Sequence, residues 1–308
     1  DISPKGFDFQ KEKLEKIIRE NNDVLAVIPT HLAGIPVNIK SYATDCKNKG
    51  ILIIEDCAQS LGSKNEGIFT GTTADFSFYS FCRGKGITTY EGGAIACKSE
   101  FKDLIDKNLN RVSKENWLSE TLKLAELLGY WIFYRPALFW FVFRLPQLFW
   151  EIQGKTERAN IEYFTSDFPV HKVSEKRKYI GALQFKRLEQ EIGKQREKAF
   201  YYLDGLKGLK DLNIIAEGEN HRSNYPYLTI LFQESRKRDK ILQKLNNSGL
   251  GVSRIYLNAI TDYRYLKEVY SPGSCPNASS TAKRHVTLST STFIKKADDL
   301  VTTREKTR

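Results

Sequence analysis

The 308-residue chain contains no methionine at all. It begins at Asp1, and its opening stretch "DISPKGFDFQKEKLEKII" enters in mid-pattern, a turn leading into a helix. The sequence therefore reads as the later part of a longer protein. Cysteine is sparse: Cys46, Cys57, Cys82, Cys97 and Cys275 make an odd number, and no two have C-x-x-C spacing. That excludes a disulfide framework. With no signal peptide, it points to a reducing cytoplasm with buried thiols and no metal site. A long apolar run is missing too. In the most hydrophobic region the longest stretch free of charge and proline is Ala137–Phe143, far short of the roughly 18 residues a membrane span needs. There are no internal repeats and no low-complexity tract.

What is present is ordinary for a soluble globular protein: 41% apolar and 28% charged residues, in a chain long enough for one large or two medium domains. The net charge of +11 admits nucleic acid, a membrane surface or an anionic substrate as partner. The basic residues form no long run, and no zinc-finger spacing or other nucleic-acid signature accompanies them. Nucleic acid is accordingly not expected as a partner.

The order of elements predicts an α/β fold. Val24–Pro29, Ile51–Asp56, Asp75–Phe81 and Gly92–Cys97 read as strands, and Asn38–Gly50 as a helix that ends at glycine. This alternation implies a mostly parallel sheet with helices on its faces. Ligands bind beyond the carboxyl ends of such strands. Val173–Leu206 reads as one helix. Tyr225–Phe232, Ser235–Gly249 and Gly251–Tyr256 then read as strand, helix and strand of a smaller α/β domain. Residues 129–150, "GYWIFYRPALFWFVFRLPQLFW", contain ten aromatic residues, Arg135 and Arg144. They suit an interfacial membrane anchor, or an aromatic hairpin buried in an oligomer interface or the core. The expected division is 1–115 for the large domain, 116–172 for an aromatic insertion and linker, and 173–308 for an inter-domain helix and small domain.

Two strand ends carry candidate chemistry. Asp56 closes "ILIIED", with Gln59 three residues on; a helix cap is the plainer use of such an aspartate. Lys85 lies between Gly84 and Gly86, after another strand. Buried lysine is rare unless paired or functional. An amine becomes nucleophilic when burial or a cation such as Arg83 lowers its pKa from about 10.4. A carboxylate at one strand end and a lysine at another is the layout that pyridoxal phosphate needs. The carboxylate keeps the pyridine nitrogen protonated, while the lysine holds the aldehyde as an imine and moves the proton.

"THLAG", "IEDCAQSLG" and "TADFSFYSFCRGKGITTYEGGAIA" resemble the sugar aminotransferases of the DegT/StrS type, fold-type-I enzymes dependent on pyridoxal phosphate (PLP). The resemblance is specific over Asp1–Lys98 and weaker over "SEKRKYIGALQFKRLEQ" and "GSCPNASSTAKRHVTLST". It implies that Lys85 bonds covalently to PLP, that Asp56 pairs with the pyridinium nitrogen, and that Gln59 lies near the phenolic edge of the ring. It implies a phosphate contact for Ser80 and places His31 near the cofactor, where a satisfied strand-end histidine is the alternative. Arg254 and Tyr256 are candidate substrate contacts. The implied reaction moves an amino group, from glutamate as the usual donor, to a nucleotide-linked keto-sugar for surface polysaccharide or related glycoconjugates. A homodimer is implied, since family active sites lie at a subunit boundary.

One departure stands out. Val170 occupies the place of an asparagine that reaches a neighbouring subunit's cofactor phosphate, leaving His171 or Lys172 as candidate cations there. A pyridoxamine-phosphate-dependent sugar dehydratase is the enzymatic alternative, although such relatives carry histidine in place of Lys85. A non-catalytic, membrane-associated regulatory member is the alternative of another class.

Overall fold

The computed structural model describes residues 1–133, 135, 138, 140–141, 145–154, 170–245 and 251–294. The expected helix end at Gly249, the polar stretch after Gly154, and Phe143 and Arg144 lie outside them. Along the chain run α1 (Lys11–Glu20), β1 (Ala26–Val27), α2 (Lys40–Asn48), β2 (Leu52–Asp56), β3 (Lys64–Asn65), β4 (Ile68–Phe69), β5 (Phe76–Ser80) and β6 (Gly93–Cys97). Then come α3 (Lys102–Arg111), α4 (Trp117–Phe133), α5 (Leu145–Ile152), α6 (Glu175–Phe185) and α7 (Leu188–Leu206). The last part holds β7 (Leu212–Ile215), β8 (His221–Arg222), β9 (Tyr227–Phe232), α8 (Ser235–Leu245), β10 (Val252–Ser253), α9 (Pro276–Arg284) and β11 (His285–Ser289). These elements form two compact units, neither continuous in sequence.

The first unit comprises Asp1–Ser80, Gly93–Phe101 and the chain from Lys186. One of its sheets has the order β1-β2-β5-β6, with β1, β2 and β5 parallel. Against it α1 and α2 bury Leu14, Ile18, Tyr42 and Cys46 onto Val27, Ile51 and Ile53. The expected fourth strand is present, but it runs antiparallel to β5, with Ser80 opposite Gly93. The reason is the connection: a parallel return needs a crossover, usually a helix, and residues 81–92 contain none. Gly93 has no alternative, because a Cβ there would lie 2.2 Å from the Tyr79 carbonyl oxygen.

The unit's second sheet is antiparallel, in the order β10-β11-β9-β7. Tyr202 and Ala199 of α7 pack on Leu228, Ile230, Val286 and Leu288. The Asp1 carboxylate caps α9 through the backbone N–H groups of Asn277 (3.0 Å) and Ala278 (3.1 Å), where a helix N-terminus favours negative charge.

The second unit comprises Phe81–Gly92 and Lys102–Phe185. The single helix expected over 173–206 is two, α6 and α7, separated at Lys186–Arg187; α6 belongs to this unit and α7 to the first. Arg177 of α6 is its buried centre. The guanidinium meets Glu120 of α4 side-on, with Nε at 2.9 Å and Nη2 at 2.8 Å from the carboxylate. Its Nη1 reaches back to the carbonyls of Thr89 (3.4 Å) and Glu91 (3.3 Å). Gln184, two turns along α6, brackets Thr88 by donating to its carbonyl (2.7 Å) and accepting its N–H (3.0 Å). The loop that carries Lys85 is thus pinned at its far end by one charged and one neutral clamp.

Removing one partner of a buried ion pair strands the other charge, at a cost of about 3–5 kcal/mol. Arg177→Leu is therefore expected to lower the melting temperature and to open residues 81–92 to limited proteolysis. Gln184→Leu, which strands no charge, should do the second more than the first.

Candidate active site

Neighbouring carboxylates at the end of β2 face opposite ways. A strand alternates its faces, and β2 does so, with Ile53 and Glu55 buried while Leu52, Ile54 and Asp56 are half-buried. Glu55 is 1% exposed. Its carboxylate accepts from the backbone N–H groups of Gly71 (2.7 Å), Thr73 (3.3 Å) and Ala74 (3.1 Å), from the Thr73 hydroxyl (3.1 Å) and from His31 Nε2 (2.9 Å). Burial pushes the Glu55 carboxyl up, but these donors, His31 and Gly71 foremost, outweigh it and hold the group below the usual carboxylate range.

His31 completes this arrangement. Its Nδ1 accepts the Val37 N–H at 2.9 Å, so the ring proton sits on Nε2 and points to Glu55. Both ring nitrogens are committed within the fold. The His31–Val37 bond also shapes the loop between them, in which Ala33 takes φ +56°. The Ala33 N–H then donates to Gln59 Oε1 at 2.8 Å.

Gln59 sits in a closed ring of hydrogen bonds. Tyr227 donates to its Oε1 (2.6 Å), its Nε2 donates to the Tyr256 hydroxyl (2.6 Å), and the two hydroxyls lie 2.8 Å apart. Since Tyr227 spends its proton on Gln59, Tyr256 is the donor between the tyrosines. Burial raises the pKa of both tyrosines, so both remain hydroxyls at neutral pH. Tyr256, an expected substrate contact, fixes the Gln59 amide. Its backbone N–H donates to His285 Nε2 (3.3 Å), whose Nδ1 lies 3.2 Å from the Thr281 and Ala282 carbonyls. Arg254, the other expected substrate contact, donates through Nη2 to the carbonyls of Leu257 and, at 3.2 Å, Ala282.

Asp56 has a different setting. Oδ1 accepts the Ala58 N–H at 3.0 Å, while Oδ2 takes no hydrogen bond among the described residues. Ser80 ends β5 in the same unit. A carboxylate with one anchored and one available oxygen fits a protonated ring nitrogen. The amide of Gln59, fixed by Ala33 and two tyrosines, fits the edge of a flat aromatic ring.

Lys85 belongs to the second unit. The loop around it is closed by Thr89 N–H to Phe81 O, Phe81 N–H to Gly92 O (both 2.9 Å) and Arg83 N–H to Tyr90 O (3.2 Å). Its turn is fixed by Lys85 N–H to Cys82 O (3.3 Å). Gly84, at φ +81°, donates to the Tyr130 hydroxyl (2.9 Å). The Lys85 side chain is half-buried. Arg83 is exposed and stacks its guanidinium 4.9 Å from the Tyr90 ring centre. In this unit Val170 is exposed, and His171 is engaged by Ser113 (3.1 Å) and faces Glu115 (3.8 Å). Glu55, Tyr227 and Arg177 are the structural anchors that sequence reading did not assign. For Glu55 the signal was there: strand parity puts it on the face of Ile51 and Ile53.

Two outcomes follow from these bonds. Glu55→Gln retains shape but loses charge and sets an amide against N–H donors, so it is expected to cost about 2–4 kcal/mol in chemical denaturation. His285 is held neutral: burial, the largest influence, lowers its pKa to about 4. In the unfolded chain it titrates near 6.5, so between those values the unfolded state binds the extra proton. Stability is then lost as pH falls from about 6.5 to 4, by up to about 3 kcal/mol. A His285→Phe variant should show a flatter melting-temperature profile over that interval.

The DegT/DnrJ/EryC1/StrS aminotransferase family matches residues 1–127 and 168–303. The chain is 24% identical over 296 residues, 94% of its length and 66% of the other's, to the UDP-4-amino-4,6-dideoxy-N-acetyl-beta-L-altrosamine transaminase of Campylobacter jejuni strain 81-176. It is 37% identical over 89 residues, 29% of its length and 24% of the other's, to the GDP-perosamine synthase of Escherichia coli O157:H7. Its fold is that of DesV from S. venezuelae, with a TM-score of 0.74 at 17% identity, covering 99% of this chain and 70% of that one. The expected fold-type-I architecture is thereby established. The chain spans about two thirds of the length of curated relatives that it matches from end to end. On residues 1–127 and 168–303, this chain belongs to the DegT/DnrJ/EryC1/StrS aminotransferase family.

Proposed function

We propose that the protein is a PLP-dependent aminotransferase that moves an amino group, from glutamate as donor, to a nucleotide-linked keto-sugar in glycoconjugate biosynthesis. The observation that carries this reading is Asp56. Within a motif of its family it turns away from the core, with one oxygen fixed on Ala58 and the other available. The relatives named above act, by their names, in amino-sugar nucleotide chemistry.

PLP, when bound, supplies an electron-accepting ring and an aldehyde that carries nitrogen between donor and acceptor. Lys85 would anchor it covalently and, when released, move a proton at the carbon that gains or loses nitrogen. Asp56 would hold the ring nitrogen protonated, Gln59 would orient the ring edge, and Ser80 would donate to the phosphate. His31 supports the Gln59 loop, Tyr256 supports Gln59 itself, and Arg254 braces the backbone at Leu257 and Ala282. Lys85 also speaks against the dehydratase reading, whose relatives use histidine at that place. The proposal includes a homodimer, a cytoplasmic setting, and peripheral contact of residues 129–150 with a membrane.

The protein as its gene encodes it should show a visible absorbance band on addition of PLP, bleached by L-glutamate. Lys85→Ala should lose the band's borohydride-fixed covalent link and at least about a hundredfold of amino transfer. Asp56→Asn should retain the link but lose transfer. A protein that binds no PLP overturns the reading.

A further inference from the structure

α4 is amphipathic in the inverted sense. Of its three charged side chains, Glu120 is spent on Arg177 and Lys123 on Glu91 (2.7 Å) and Glu115 (2.5 Å), while Glu126 is exposed. Leu127 is the one buried residue of the helix. The outward face shows Trp117, Leu118, Leu122, Leu128, Trp131 and Ile132, with Trp117 78% and Trp131 66% exposed. A helix of a water-soluble protein normally turns these faces the other way. α5 continues the pattern, with Leu145, Phe149 and Ile152 exposed.

Three features of the sequence identify what such a surface fits. All four tryptophans of the chain, Trp117, Trp131, Trp140 and Trp150, fall in this one region. Tryptophan is enriched where hydrocarbon meets headgroups. Between Glu126 and Glu151 there is no acidic residue, and Arg135 and Arg144 are the only charges. Arg135 stacks on Trp131 at 5.4 Å, which sets a cation beside an interfacial ring. Residues 128–167, which hold Leu128, Trp131, Ile132 and all of α5, also lie outside the family match, while Trp117, Leu118 and Leu122 lie inside it. Among the described residues no helix is long and apolar enough to cross a membrane. Against a second copy placed two-fold, residues 127–150 would bring two arginines and no acidic residue of their own.

We propose that the outer face of α4, together with α5, docks on the surface of a bilayer rich in anionic phospholipid, with the aromatic side chains at headgroup depth and Arg135 on phosphate. This rests on the reading of residues 129–150 as a peripheral membrane contact and extends it to the helix that precedes them. It is independent of the aminotransferase chemistry.

The test uses the full protein with vesicles of phosphatidylglycerol and phosphatidylcholine, against phosphatidylcholine alone. All four tryptophans of this chain lie in the region, so their emission reports on it. The expected result is a blue shift and flotation with anionic vesicles, weakened by salt, and at least tenfold weaker partition for Leu122→Glu combined with Trp131→Glu. Both positions are exposed, so circular dichroism and the PLP absorbance band should be unchanged. Leu122→Ser gives a milder check. If the protein ignores both vesicle types, the proposal falls, whether or not it binds PLP. If Phe149→Glu with Ile152→Glu releases it from vesicles and the α4 variant does not, the extension to α4 falls. If the α4 variant only changes the oligomeric mass in light scattering, the face belongs to a protein contact and the proposal falls.

Discussion

The organisation of the first unit depends on one buried negative charge. A carboxylate removed from water is costly unless donors meet it, and Glu55 is met by five. Three are backbone N–H groups of one segment, residues 71–74, so the charge fastens that segment to the end of β2. A fourth is His31, which fixes the loop leading to Val37. From that loop the Ala33 N–H reaches Gln59, and Gln59 gathers Tyr227 and Tyr256. A group that touches no ligand thereby sets the position of those that would. Because strand parity sends Glu55 inward, it also sends Asp56 outward, and the same peptide serves stability and chemistry on its two sides.

The second unit solves a related problem with paired charges. Lys85 needs a loop that is held without being filled, and glycine at positions 84 and 86 contributes no side chain to hold it. The restraint comes from outside: Arg177 and Gln184 of α6 on Thr88, Thr89 and Glu91, and Tyr130 and Lys123 of α4 on Gly84 and Glu91. Glu120 and Lys123 of α4 are consumed in this work, and its opposite face is mostly apolar. One helix thus has an inner side that holds the lysine loop and an outer side that seeks a partner.

Much of this was legible in the sequence, and the failures have identifiable causes. The parallel strands and α2 were evident from apolar runs and a terminal glycine. Asp56, Gln59 and Lys85 stood out because their spacing is that of a motif. The break between α6 and α7 was not legible, since Lys186 and Arg187 are good helix formers and neither glycine nor proline marks the site. β11 was overlooked because "HVTLS" carries three polar residues, all satisfied by partners that only the fold supplies. The bond between the Tyr256 hydroxyl and Gln59, 197 residues away, was likewise not legible. Long-range hydrogen bonds between neutral groups leave no local pattern, whereas strand parity and glycine do.

The same reasoning separates the two kinds of surface in this chain. Inside the residues matched by the family, the groups around the site are buried and answered: Glu55 by its donors, Arg177 by Glu120, Gln59 by two tyrosines. At the end of α4 and in α5, where the match lapses, the imbalance is reversed, and large apolar side chains, Leu128, Trp131, Phe149 and Ile152 among them, are exposed. A contiguous exposed apolar face rimmed by polar residues is the mark of a surface that meets a partner. The relief has to come from outside the unit. The composition of the region, rich in tryptophan and arginine and empty of acid for 24 residues, gives that outside medium a negative charge and an apolar interior.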